Sequence, residues 1–509
     1  MIRNGAENMH NRNYLAMDFG AGSGRAIVGQ YDGERLSLEE IHRFSNRFVD
    51  LNGTYYWDAP RMFGEIVAAL RLVASRLPQG EALSVGIDTW GTDYGMIDHA
   101  GQLLRNVRCM RNADGAAVKQ LLSRISAESL FERTGIQVIY GNTIFQLYER
   151  IADNDPALRH ADKVLMLPDL LAYFLTGCKL SEYSIATTSM LYNPLLRDWD
   201  RELIKELGMR PELFPDIVQA ASLRLDVLDS VKQEAGISRL HYVPVASHDT
   251  ASAIAAVPLG EGEAFCSSGT WSLFGIESDL PIMSKAAFRC NFSNEGSMDG
   301  RIRFLKNIMG MWILQECGRE WAQAEQTPSW DDIVEQAEAA RPFRSFINTD
   351  EPAFYSAGRM VEKVQSYCAR TGQPVPESIG EIARCVYESI AMRYRQTFMQ
   401  LAGICGRELQ SLRIVGGGSR NRLMNRFAAS AIGKPVNAGP VEATSIGNVM
   451  AQAIESGDIG GWSEARELVG RSFEMERFEP EQSRAWQEAY GEYELLLEQF
   501  PVYQEGALL

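Results

Sequence analysis

Apolar and polar positions along the chain fall into short blocks whose period switches between that of a strand and that of a helix. Leu15-Ala16-Met17-Asp18-Phe19-Gly20 predicts a strand, Ala21-Gly22-Ser23-Gly24-Arg25 a loop of small residues, and Ala26-Ile27-Val28-Gly29-Gln30-Tyr31 a second strand closing a hairpin. A third strand is expected over Leu36 to Phe44. A helix follows over Arg61 to Leu77, where Met62, Ile66, Ala69, Leu70 and Val73 recur at helical spacing. Leu83 to Asp88 reads as a strand running into Thr89-Trp90-Gly91-Thr92-Asp93-Tyr94, with a turn at Asp98-His99-Ala100-Gly101. Residues 115–240 read as mostly helical, and Gly177 is a helix stop after Leu170 to Leu175. Residues 1–13 read as a disordered leader.

In mid-chain an apolar run ends in Ser247-His248-Asp249-Thr250, and small helix-forming residues follow at once. Asp249 is thereby placed at a strand-to-helix corner, either as a helix cap or as a carboxylate facing a cleft. Beyond the breaker-rich Val257-Pro258-Leu259-Gly260, the opening pattern returns. Ala264-Phe265-Cys266, Ser267-Ser268-Gly269-Thr270 and Trp271 to Ile276 make another strand, small polar turn and strand. Two halves that each begin this way suggest a duplicated α/β fold with a cleft between lobes. Lys306 to Trp312 is expected to open a helix, and a long helix is expected over Glu377 to Cys405. Ser411 to Val415 predicts a strand emptying into Gly416-Gly417-Gly418-Ser419. Gln482 to Gln499 reads as an amphipathic helix packed through Trp486, Tyr490, Tyr493 and Leu496. The expected division is a first lobe over 14–256, a second over 257–475 and a helical segment over 476–509.

Composition narrows the function. A length of 509 residues exceeds what one core organises, and 45% hydrophobic content leaves ample surface to bury. A formal charge of −16 disfavours nucleic acid as a partner. No apolar run approaches the ~18 residues a membrane helix needs, so a soluble, cytoplasmic protein is expected. The 8 cysteines form neither a Cys-x-x-Cys pair nor a zinc-spaced cluster. Cys368 and Cys385, on successive helical segments, are placed to meet.

Paired small-residue loops and a carboxylate at a corner suit phosphoryl transfer, which needs held phosphates, a divalent cation and a base for the attacking hydroxyl. The loops at 20–24, 267–270 and 416–418 are candidates for the nucleotide, Asp18 for Mg²⁺ through water, and Asp249 for the base. His248 is open to two roles, a contact to a substrate hydroxyl or simple packing.

Asp18-Phe19-Gly20-Ala21-Gly22-Ser23-Gly24-Arg25, Gly86 to Asp93, Ser247 to Ala253, Ser267 to Trp271 and Gly416 to Ser419 stand in an order that resembles the FGGY carbohydrate kinases. Asn291 to Gly296, Lys306 to Gly310 and Gly439 to Asn448 are similar to the same family. The resemblance implies a two-lobed actin-like ATPase (ribonuclease H-like) fold with ATP and a ketose in the cleft. It further implies that Ala21, Gly22, Ser23, Gly24, Arg25, Thr270, Gln315 and Gly417 bind ATP. Gly91, His248, Asp249, Thr250 and Asn307 would meet the sugar, with Asp249 as proton acceptor. The implied reaction is transfer of the γ-phosphoryl group to the 1-hydroxyl of L-rhamnulose, with L-fuculose or a pentulose as alternative acceptors and a non-catalytic ATP-binding regulator as the alternative class. One departure is Asn112, within Met110-Arg111-Asn112-Ala113-Asp114, where the family pattern leads one to expect a carboxylate. A second is Gly22, in place of a serine.

Overall fold

The computed structural model describes residues 12–501 except 79, 256 and 324–327. The expected leader therefore lies outside the described residues, apart from Arg12 and Asn13, which already belong to the first strand.

Two large mixed sheets, each built on a hairpin, organise the molecule. In the first, β1 (Arg12–Phe19), β2 (Ser23–Tyr31), β3 (Leu36–Ser45), β4 (Ala82–Thr89), β5 (Leu225–Asp226) and β6 (Arg239–Tyr242) lie in the order β5-β6-β4-β1-β2-β3. β1 pairs antiparallel with β2 and parallel with β4, which sets Asp18 beside both Arg25 and Asp88. In the second, β7 (Glu263–Ser268), β8 (Trp271–Ser278), β9 (Ser293–Gly296), β10 (Ile302–Met309), β11 (Ser411–Val415), β12 (Val436–Ala438) and β13 (Glu476–Phe478) lie in the order β9-β10-β8-β7-β11-β12-β13. β7 pairs antiparallel with β8 and parallel with β11, repeating the first sheet's arrangement.

Helices cover the sheets. α1 (Ala59–Ala74) begins two residues earlier than its periodicity suggests, because the Asp58 carboxylate accepts from the Arg61 N–H and Pro60 fits the first turn. α2 (Leu167–Thr176) stops at Gly177, whose φ of 73° is left-handed. α3 (Asp249–Ala255) starts at the mid-chain polar corner. α4 (Trp312–Gln323) begins after a strand rather than at Lys306, so Asn307 sits in β10, between buried Lys306 and Ile308. α5 (Ile379–Cys405) opens on a capping box between Ser378 and Glu381. α6 (Ala443–Glu455) and α7 (Ser483–Gln499) complete the chain. Cys368 and Cys385 do come within hydrogen-bonding reach, as free thiols.

The segment set apart at 476–509 is, over its described part, continuous with the second lobe. β13 is that sheet's edge strand, and Trp486, Tyr490, Tyr493 and Leu496 enter its core.

α6 belongs in sequence to the second half, yet it packs on the first sheet and on α3. A Cβ at Gly447 would lie 1.8 Å from the Ser252 carbonyl, and one at Gly86 2.4 Å from Asn448 Oδ1. Val449, Met450 and Ile446 join Tyr14, Ala16, Val245 and Ala251 in a core that spans both halves.

Candidate active site

Between the lobes, β1, β4 and α3 converge on three carboxylates. Asp18 ion-pairs with Arg25, and Arg25 ion-pairs in turn with Glu442 just ahead of α6. Burial raises the Asp18 pKa even against the attraction of Arg25. Asp88 is fully buried; its Oδ2 accepts from Asn448 Nδ2 at 2.6 Å, while Oδ1 has no partner. Burial, with Asp18 adding repulsion, lifts Asp88 well above the carboxylate range.

Asp249 stands at the first turn of α3. Its Oδ1 accepts from the Thr250 N–H and hydroxyl, and this pins the carboxylate while leaving Oδ2 without a protein donor among the described residues. Burial and then the Asp18 charge push its pKa up to about 6. One oxygen of the side chain is thus tied to the first turn of α3. The corner is held from behind by buried Glu182, whose Oε2 accepts the Ser247 N–H at 3.0 Å and its hydroxyl at 2.9 Å. Thr89 donates its N–H to the Ser247 carbonyl at 2.9 Å, which ties the end of β4 to the same corner.

Gly91 follows directly, where a Cβ would sit 3.1 Å from the Thr188 side chain. Thr92 takes φ 72°, a left-handed conformation costly for a β-branched residue. Its N–H donates to Thr188 Oγ1, and its carbonyl accepts from Thr143 Oγ1 at 2.6 Å and Gln146 Nε2 at 3.2 Å. Asp93 is buried under both indole N–H groups of Trp57 and Trp90 and the Met110 N–H, and its pKa rises to about 7 through burial. Asn307 approaches from the second lobe and donates to Gln137 Oε1 at 3.3 Å.

The nucleotide candidates divide into two groups. At the first hairpin, Ala21, Gly22 and Ser23 are exposed and nothing lies within 4 Å of where a Gly22 Cβ would be. Gly24 is buried, and a built Cβ there would lie 2.2 Å from the Phe44 ring, so no side chain fits at this position. In the second lobe Thr270 Oγ1 donates to Gln315 Oε1 at 3.3 Å. Gly418 presses on Ser268, with 2.2 Å from a built Cβ to Ser268 Oγ, which brings the triple-glycine turn against the second hairpin. Gly417 is exposed at its tip. Glu442 also reaches Arg420 at 3.7 Å, so one carboxylate links the first hairpin to the triple-glycine turn.

Asn112, which stands where the family pattern leads one to expect a carboxylate, is engaged with backbone. Its Oδ1 accepts the Tyr55 N–H at 2.8 Å, and its Nδ2 donates to the carbonyls of Tyr55 at 2.7 Å and Cys109 at 2.8 Å. The amide is consumed in joining two backbone segments, a task no carboxylate performs.

Glu442, Asp88, Asn448, Glu182, Glu295 and Arg303 were not singled out by motif reading. Some stand inside quoted motifs, but their pairings span up to 417 positions, which no local spacing reveals.

Among the described residues no group of three or more His, Cys, Asp and Glu is disposed to hold a metal alone. Asp18, beside an Asp88 oxygen that lacks a partner, fits a Mg²⁺ ion that takes its remaining ligands from water and phosphate. No helix among the described residues is long and apolar enough to cross a membrane.

Solved structures share the fold. A xylulose kinase from Lactobacillus acidophilus aligns with a TM-score of 0.80 at 15% identity, covering 96% of this chain and 98% of that one. A Plasmodium falciparum glycerol kinase with ADP gives 0.76 at 16%, covering 97% and 99%. By sequence, the chain is 42% identical to a rhamnulokinase of Bacteroides thetaiotaomicron over 94% of this chain and 98% of the relative. It is 35% identical to a rhamnulokinase of Bacillus subtilis over 92% and 95%. Residues 13–256 match the N-terminal domain, and 264–456 the C-terminal domain, of the FGGY family of carbohydrate kinases. With a two-lobed fold, a cleft carboxylate and matched sequence over most of its length, this chain belongs to the FGGY family of carbohydrate kinases.

Proposed function

We propose that this enzyme transfers the γ-phosphoryl group of ATP to the 1-hydroxyl of L-rhamnulose, giving L-rhamnulose 1-phosphate and ADP. The first lobe (14–256) supplies the base and sugar side, and the second (257–475) the nucleotide side. The observation that carries the proposal is Asp249, with one oxygen pinned and the other without a protein donor, in a chain 42% identical over nearly its whole length to a protein named rhamnulokinase.

Asp249 Oδ2 takes the proton of the attacking hydroxyl. A pKa of about 6 keeps it largely ionised at neutral pH while leaving it basic enough to accept. Gly91, His248, Thr250 and Asn307 orient the ketose; the backbone at Gly91 can approach closely because Thr188 leaves no room for a side chain there. Ala21, Gly22, Ser23, Gly24 and Arg25 meet the phosphates from the first lobe, and Thr270, Gln315 and Gly417 meet the nucleotide from the second. Asp18 would hold a Mg²⁺ ion through water, and that ion would supply charge neutralisation for the transferred phosphoryl group.

The test is an ADP-release assay across L-rhamnulose, L-fuculose, xylulose, ribulose and glycerol at equal concentration. L-rhamnulose should give the highest kcat/KM; another ketose ahead of it reassigns the acceptor, and glycerol ahead of all of them overturns the proposal.

A further inference from the structure

The two ring nitrogens of His248 face unlike neighbours. Nδ1 lies 3.0 Å from Arg303 Nη2 and 3.4 Å from Glu295 Oε2, whereas Nε2 lies 3.4 Å from Asp249 Oδ1. A guanidinium carries donors only and keeps its proton throughout the folded pH range. A proton on Nδ1 would therefore oppose an N–H to an N–H at 3.0 Å. The rival arrangement, Nδ1–H donating to Glu295, has the longer separation and requires Arg303 to swing away. Arg303 is not free to do so: it is fully buried, its Nε donates to the Gly296 carbonyl at 2.9 Å, and its Nη2 also reaches Glu295 at 3.3 Å.

We propose that Arg303, compensated by Glu295, is a positioning residue that fixes His248 as a neutral imidazole with its single proton on Nε2. Arg303 and Glu295 come from β10 and β9 of the second lobe, while His248 and Asp249 come from the corner of the first. The second lobe thereby dictates which way a first-lobe histidine donates. Nε2–H points to the side of Asp249, where it donates to a substrate oxygen or to the carboxylate. With Nδ1 already accepting, His248 takes no proton from the reaction, and the hydroxyl proton goes to Asp249 alone. Burial and the neighbouring guanidinium both hold the imidazole well below its ordinary pKa. The kinetic consequence rests on the sugar-kinase reading; the tautomer itself does not.

The test uses the full chain with ¹⁵N-labelled histidine, which gives only six side chains to resolve, His248 being assigned by its loss in His248→Gln. The expected spectrum at neutral pH shows protonated Nε2 and unprotonated Nδ1. A resonance pattern of Nδ1–H or of imidazolium overturns the proposal, whether or not the enzyme phosphorylates L-rhamnulose. The paired variant Arg303→Met/Glu295→Gln removes both charges together, so that no buried ion is left alone. In it the His248 signals should move toward mixed tautomers, and the ketose KM should rise about tenfold or more with the ATP KM unchanged. An unaltered tautomer with an unaltered ketose KM would refute the assignment. Absence of ketose phosphorylation by the wild-type chain alongside the expected spectrum would sink the functional reading and leave the tautomer standing.

Discussion

The proposed role of Asp249 rests on an environment that disfavours its charge. Burial and then the Asp18 carboxylate push its pKa up to about 6. A group whose folded pKa is raised is favoured in its protonated form, so ionisation at neutral pH costs the native state some stability. Asp249→Asn should accordingly lower kcat by about 10²–10⁴-fold, leave the ATP KM nearly unchanged, and raise the melting temperature at pH 7.5. A variant with undiminished turnover would remove Asp249 from the mechanism. With Asp249 as the proposed base its ionised form is the active one, so kcat/KM of the wild type should fall as pH drops through about 6 and level off above it. Asn112 makes the opposite case. Asn112→Asp removes two donors from a backbone bridge and should lower the urea midpoint by the equivalent of about 1–3 kcal/mol, with the ketose KM little changed. The contrast shows what was legible at this scale. Asp249 stands in a motif with a polar corner and a helix start, whereas the meaning of Asn112 depends on Tyr55, a partner that only the folded chain supplies.

Among the elements, helices were the more readable because their signals are local. Gly177 stopping α2 and Ser378 opening α5 act within one turn of themselves. Strands are harder to read where burial on both faces leaves no alternation. Ile302–Met309 is buried along nearly its whole length although it contains Arg303, Lys306 and Asn307, and Trp312 just beyond it opens a helix, so the expected helix start at Lys306 is a strand and Asn307 lies within it. The junction of α3 with α6 depends on a close approach that the sequence signals only as one more glycine. Gly447→Ala would drive a methyl into the Ser252 carbonyl, and the two helices would have to separate. Differential scanning calorimetry should register a loss of about 1–3 kcal/mol. Turnover should fall with it, since α3 carries Asp249 on its first turn; retained stability would mean that the junction yields freely.

For the whole molecule, Glu442 is the shared counter-ion of Arg25 and Arg420, one on each lobe's small-residue loop. Bound nucleotide phosphates would draw on the same two cations and pull the loops toward one another. Small-angle scattering should show a smaller radius of gyration with L-rhamnulose and a non-hydrolysable ATP analogue than without them; an unchanged radius would argue against closure. The duplicated hairpins made the two-lobed plan visible in advance, since each is a contiguous stretch of chain. The manner in which the lobes share a core was hidden, because Tyr14 and Val449 lie over 400 positions apart and neither announces the other.

That shared core governs how the protein can be made. During synthesis the first sheet leaves the ribosome long before α6 exists, and the apolar side that α6 covers, with Tyr14, Ala16, Val245 and Ala251, stays wet until residue 455 has emerged. Pairings so distant in sequence form late and leave intermediates prone to association. The first half is therefore a waiting half: expressed alone it would keep its seam open to other copies, and it becomes a finished body only when the far end of the chain returns to close it.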